Sequence, residues 1–94
     1  MARLLLFATL RDKYGVREVR LNWSGGPLKR FVEEASRKLG GDFYREVYRD
    51  GRLRDDRIIM IDGRNVKDIK RRGVDEPYVP PEGTVAVFPP LAGG

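Results

Sequence analysis

Val85-Ala86-Val87-Phe88-Pro89-Pro90-Leu91-Ala92-Gly93-Gly94 ends the sequence with an abrupt change of pattern. Val85 to Phe88 alternate as a strand does. Pro89 and Pro90 fix φ and lack amide hydrogens, so they stop sheet pairing while keeping the backbone extended. Gly93 and Gly94 offer no side chain to a core. The expected organisation is a body over residues 1–88 and an extended tail over residues 89–94, thin enough at its tip for a narrow slot in another protein.

Working back from that stretch, Glu82-Gly83 turns the chain into the last strand, and Val74–Pro81 reads as a surface loop fixed by three prolines. Before it, Arg57–Ile61 is a short apolar strand, Asp62-Gly63 a tight turn, and Arg64-Asn65-Val66 the start of a partner strand. Lys67–Gly73 is polar except for Ile69 and reads as a one-turn helix or a loop. Asp42–Arg57 gives a short helical turn around Phe43–Tyr48, then a loop with a turn at Asp50-Gly51. The clearest helix follows Ser24-Gly25-Gly26-Pro27: Leu28, Phe31, Val32, Ala35 and Leu39 form one apolar stripe, and Gly40-Gly41 ends it. At the front, Arg3–Leu10 reads as a strand with Leu4, Leu6 and Ala8 on one face and Leu5, Phe7 and Thr9 on the other. Arg11–Gly15 reads as a hairpin turn into a second strand over Val16–Trp23.

The resulting order is strand, strand, helix, strand, short strand, strand. One apolar helix stripe must cover one sheet face, so the expected class is α+β, a roll of about five strands in a mixed sheet on one main helix. The most apolar strands are the first and the last. Both suit central positions, side by side and parallel, because the intervening chain supplies the long crossover.

Ninety-four residues give one domain with a modest core. The apolar fraction of 40% and charged fraction of 35% fit a globular protein with a charged surface. No run approaches the about 18 apolar residues of a membrane span, and the stretch Leu4–Ala8 is too short for a secretory signal, so a cytoplasmic location is expected. Neither cysteine nor histidine occurs, which removes disulfides, thiolate nucleophiles, imidazole bases and the commonest zinc ligands. The net charge of +5 suits nucleic acid, an acidic membrane or an acidic partner, or simply a heavily charged surface of the thermophilic kind.

Three stretches carry a resemblance. They are Leu5-Leu6-Phe7-Ala8-Thr9-Leu10-Arg11 ending at Gly15, Ile61-Asp62-Gly63-Arg64-Asn65-Val66, and Glu82–Gly94 with its Phe-Pro-Pro-x-x-Gly-Gly end. Together they resemble the small subunit of molybdopterin synthase and its ubiquitin-like sulfur-carrier relatives, among them the thiamine-pathway carrier and archaeal ubiquitin-like modifiers. The resemblance implies a β-grasp fold. It implies a carrier without a self-contained active site, the small sulfur-donating subunit of a molybdopterin synthase (transferase) complex. Gly94 is then the reacting residue, Gly93 gives clearance, and Pro89, Pro90, Leu91 and Ala92 guide the tail. The implied partners are an ATP-using adenylating enzyme of the ubiquitin-activating type, a sulfur donor, and the large synthase subunit in a heterotetramer. No cofactor is bound by the chain itself, sulfur rides covalently on Gly94, and no metal site, membrane or nucleic-acid partner is expected.

The chemistry of such an end can be argued from first principles. A carboxylate is a poor electrophile; joined to AMP it becomes a mixed anhydride with a good leaving group. A sulfur nucleophile then displaces AMP to leave a thiocarboxylate, whereas a lysine amine gives an amide. The carrier supplies no base of its own, only orientation. Lysines of target proteins are therefore the alternative acceptors, which makes a protein modifier the second reading and a β-grasp binding module without terminal chemistry the third.

The expected docking face follows from alternation. Ala86 and Phe88 share one face of the last strand, and Phe7 joins them if the first and last strands are neighbours, on the side away from the helix. An exposed aromatic pair suits an interface anchor; the alternative is that Phe7 and Phe88 fill core. Trp23 reads as an end-cap of the core. Lys67, Lys70, Arg71 and Arg72 form a basic cluster, either a solvated loop or an electrostatic guide for acidic partner surfaces.

Overall fold

In the computed structural model the described residues are 1–90. The chain opens with β1 (Ala2–Leu6), whose Ala2, Leu4 and Leu6 are buried while Leu5 is half-buried on the other face. The strand is shorter than its apolar run. Residues Thr9–Tyr14 form a helix, α1, where the sequence suggested more strand and a hairpin turn. Burial of Leu10 decides the matter, because a helical turn drops that side chain into the core. The Arg11 Nε donates to the Leu6 carbonyl at 2.7 Å, and Gly15, at φ 73°, closes the helix by donating to Arg11 O. Ala8 and Thr9 are exposed, so the expected continuation of the two strand faces ends at Phe7. β2 (Glu18–Leu21) still pairs antiparallel with β1, with Ala2 opposite Leu21 and Leu5 opposite Glu18.

β3 (Gly26–Pro27) leads into α2 (Leu28–Leu39), as the Gly-Gly-Pro signal predicted. Leu28, Phe31, Val32 and Ala35 are buried, Leu39 is half-buried, and Gly40 in the left-handed region donates back to Ser36 O. Asp42–Arg57 holds more structure than a turn and a loop. A four-residue helix, α3 (Tyr44–Val47), runs into β4 (Tyr48–Arg49), which pairs with β5 (Arg52–Leu53) across Asp50-Gly51. Phe43, Val47 and Tyr48 are buried there.

β6 (Ile58–Ile61) turns at Asp62-Gly63, both at positive φ, into β7 (Arg64–Asn65). α4 (Val66–Arg71) follows, capped by the Asn65 side chain, which accepts from the Lys67 amide at 2.9 Å. The proline-rich stretch is more than a surface loop. β8 (Tyr78–Val79) pairs with β3, Pro77 and Val79 are buried, and the Trp23 indole donates to Val79 O at 3.0 Å. Trp23 is buried and stands edge-on to Phe31.

β9 (Thr84–Phe88) completes a five-stranded sheet in the order β2-β1-β9-β6-β7. It runs parallel to β1 and antiparallel to β6, so the two most apolar strands sit together inside the sheet as predicted. Val85 and Val87 join Leu4, Leu6, Ile59 and Ile61 on the face covered by α2. Each such side chain, fully buried, stabilises the fold by about 1.5–3 kcal/mol. The α+β, β-grasp expectation holds.

A candidate functional site at the root of the tail

The opposite sheet face is divided. Towards the start of β1 it is ionic: Arg3 bonds Thr84 Oγ1 and approaches Glu18, which also pairs with Arg20 at 2.8 Å. Towards the end of β9 it is apolar, because register sets Leu5, Ala86 and Met60 in one row and brings Phe88 opposite Ile58 in the next. Phe7 stacks on Phe88 with centroids 4.3 Å apart and planes 9° from parallel. Both rings are half-buried, so neither fills the core. The Arg11 guanidinium lies 5.0 Å from the Phe7 ring centroid, held there by its bond to Leu6 O.

Sequence reasoning named Phe7, Phe88 and Ala86 for this face and missed Ile58. That side chain is 42% exposed, and only the pairing with β9 places it beside Phe88. The alternation of Ile58 with buried Ile59 was the available signal, hidden in a run of four apolar residues.

Past Phe88, Pro89 is half-buried and Pro90 exposed. They line a groove together with Arg57, Ile58, Lys67, Asp55 and Asp56. Lys67 Nζ donates to Asp55 O at 2.6 Å. Arg57 is only 10% exposed; it reaches Asp56 at 3.1 Å and Glu46 at 3.3 Å. Of the predicted basic cluster, Lys67 alone faces this groove, while Lys70, Arg71 and Arg72 are exposed elsewhere along α4 and after it. Arg71 is turned to Asp68 at 3.3 Å. Leu91, Ala92, Gly93 and Gly94 lie outside the described residues.

Behind the groove is a buried carboxylate that the sequence did not announce. Glu46, its side chain 8% exposed, accepts from Lys13 Nζ at 2.6 Å, Tyr14 Oη at 3.1 Å and Arg57. Burial alone would raise its pKa. The hydrogen bonds from Lys13, Tyr14 and Arg57 and the charge of Lys13 outweigh that and hold it below the usual carboxylate range. The same burial and the neighbouring carboxylate push the Tyr14 phenol above its ordinary value. No group of three or more carboxylates, the only metal-binding side chains of that kind in this sequence, comes together among the described residues. Among the described residues, no helix is long and apolar enough to cross a membrane.

No protein-family model matches the chain, and no curated protein matches it in sequence. Solved structures do match. SAMP1 from Haloferax volcanii is 21% identical with a TM-score of 0.72, the match covering 99% of this chain and 98% of that one. The small archaeal modifier protein 1 from Methanosarcina acetivorans is 23% identical with a TM-score of 0.75, covering 99% and 95%. A chain of the Amycolatopsis orientalis BexX/CysO complex is 18% identical with a TM-score of 0.77, covering the whole of both. Over nearly its full length, the chain has the β-grasp fold that these proteins share.

Proposed function

We propose that the protein is a ubiquitin-like carrier whose Gly94 carboxylate is activated as an acyl-adenylate by a partner enzyme and then transferred. The observation that carries this reading is where β9 ends and Pro89-Pro90 begin. β9 is hydrogen-bonded on both sides and runs into Pro89-Pro90 beside the stacked Phe7–Phe88 pair, and in the sequence Gly-Gly follows four residues after Pro89. A firmly held strand fixes the direction in which a thin tail leaves, and the apolar patch at its root offers a partner a reference surface.

Transfer to a lysine of a target protein is the reading we favour: the amine attacks the acyl-adenylate, an isopeptide bond forms, and AMP and a proton leave. Two of the similar structures are named as small archaeal modifier proteins, which supports this acceptor. Sulfur carriage is the second reading, favoured by the Phe-Pro-Pro-x-x-Gly-Gly end. There a sulfur nucleophile displaces AMP and leaves a thiocarboxylate, for molybdopterin synthesis or another sulfur-requiring pathway.

Intact mass of the protein from its native cells, with fragmentation, tests the set. A Gly94 amide to a lysine of another protein establishes modification, and a sulfur-for-oxygen replacement at Gly94 establishes carriage. Deleting Gly94 is expected to abolish ATP-dependent activation while leaving the unfolding transition unchanged. Activation at the original rate in that variant would overturn the mechanism.

A further inference from the structure

A second groove, of about 340 Å³, lies at the β7 edge of the sheet, between the β6–β7 hairpin and α4. That is the small end of the range for ligand sites. Met60 and Ile69, both half-buried, give the groove its apolar lining, while Arg64, Arg72 and Asn65 supply donors. The Asn65 Oδ1 is taken by the Lys67 amide, which leaves the Nδ2 hydrogens for another acceptor. Arg64 and Arg72 are exposed, and neither forms an ion pair among the described residues.

The lining itself sets the sign of the occupant. Asp68 is its one carboxylate, and Arg71 stands against it at 3.3 Å from outside the lining. Asp62, in the hairpin turn, is directed to β9, where its Oδ1 accepts from the Thr84 amide at 2.8 Å. The other cations of α4 serve other surfaces, Lys67 beside Pro89 and Lys70 beside Tyr48. Within the groove, then, two unpaired guanidiniums meet one carboxylate that already has a partner. Met60 also joins the groove to the sheet face beside the tail root. It stands opposite Ala86 on one side and Asn65 on the other, in the row that includes Leu5. Neighbouring strands are about 4.8 Å apart, so β7 lies about 10 Å from β9, within the span of one ordinary protein interface.

We propose that this groove takes an apolar side chain and an adjoining carboxylate from an acidic segment of the protein that docks on the Phe7–Phe88 side of the sheet. The apolar group packs on Met60 and Ile69; the carboxylate accepts from Arg64, Arg72 and the Asn65 Nδ2. Arginine suits this acceptor because its planar fork can hold both carboxylate oxygens. The site also orients the partner. At the opposite edge Glu18 already engages Arg3 and Arg20, so an acidic segment is favoured at β7 and not at β2. This rests on the reading that the chain presents its end to a protein partner, but not on which acceptor follows.

The test is an NMR titration of the full chain with acetyl-Glu-Leu-Glu-amide and, in parallel, with acetyl-Gln-Leu-Gln-amide. The Arg64 and Arg72 Nε–Hε resonances and the Met60 methyl group are observed directly. The acidic peptide is expected to shift all three saturably with a millimolar Kd, and the neutral peptide to bind about fivefold more weakly. Arg64→Gln and Arg72→Gln, at exposed positions where folding is retained, should each weaken the acidic peptide by a similar factor. Asp68→Asn removes the one carboxylate from the lining and should tighten it about twofold. Equal affinity for the two peptides overturns the proposal. So does the absence of a saturable shift, a response centred on Arg3 and Arg20, or weaker binding by Asp68→Asn. Removal of Gly94 should leave the titration unchanged, which separates the two ideas. Modified Gly94 with an unresponsive groove sinks this inference alone, and a responsive groove with chemically silent Gly94 sinks only the transfer chemistry.

Discussion

Ala8 sits where a side chain is least welcome, at φ 54° and ψ −131°, between the end of β1 and the start of α1. An L-residue held there stores on the order of 1–3 kcal/mol of backbone strain. Ala8→Gly is expected to stabilise the protein by about 0.5–1 kcal/mol in urea denaturation, the relief of strain exceeding the entropy that glycine adds to the unfolded chain. A lower midpoint with an unchanged m-value would show that the left-handed conformation costs alanine nothing here. Glu46 makes the complementary case, a buried charge fully engaged. Its pKa in the folded protein is depressed below the unfolded value of about 4.3. The resulting stabilisation is present above that value and is lost as pH falls through the folded pKa. Glu46→Gln should therefore be destabilising at neutral pH and approach wild type in acid. A stability difference that stays constant with pH would mean that Glu46 contributes by packing and hydrogen bonding alone.

At the scale of elements, α2 begins without a capping side chain of its own, since its N-cap is Pro27. The missing partners come from Glu76 and Pro77, far downstream in the chain. Glu76 Oε1 accepts from the Lys29 amide at 2.9 Å, and Pro77 O accepts from the Leu28 amide at 2.8 Å. The same carboxylate takes the Tyr48 hydroxyl at 3.3 Å, tying the β4–β5 hairpin to the helix start. Glu76→Ala should cost about 1 kcal/mol, the usual worth of an N-cap, and should speed amide exchange in the first turn of α2. Unaltered exchange at Lys29 would show that this remote cap is not needed. α1 teaches the same lesson in reverse. Six polar-rich residues have little helical drive of their own, and they are helical because Leu10 is buried and Tyr14 packs edge-on against Phe43.

For the whole molecule, stability should be graded from the middle of the sheet outward. β9 is bonded to strands on both sides and packed by α2, whereas the β4–β5 pair is two residues long on each side and lies outside the main sheet. Hydrogen exchange should accordingly be slowest at Val85 and Val87 and fast at Arg49 and Arg52. If the hairpin outlasts β9, the tail is not rooted in the most stable part of the fold. A slow β9 is what a presented tail requires, since any fraying at Phe88 would let the exit direction of Pro89 wander and separate Phe88 from Phe7.

The sequence by itself determined the parts whose signal is local. The stripe Leu28, Phe31, Val32, Ala35 and Leu39 between Pro27 and Gly40 has one helical reading. Asp62-Gly63 has one turn reading. The apolar first and last strands belonged together because nothing else in the chain could cover so much apolar surface. Phe7 and Phe88 were legible as face-sharing residues from alternation plus that pairing. What only the tertiary structure decided depends on contacts distant in sequence. The apolar run through Leu10 breaks at Leu6 because the core has a place for Leu10 that a straight strand cannot reach. The proline-rich loop becomes a strand because Trp23 and Gly26 lie beside it. Ile58 becomes a surface feature through its register with Phe88, and the Glu46 cluster gathers Lys13, Tyr14 and Arg57 from segments that share no motif. Periodicity records which way a side chain points from its own backbone; it holds no record of what the rest of the chain brings to meet it.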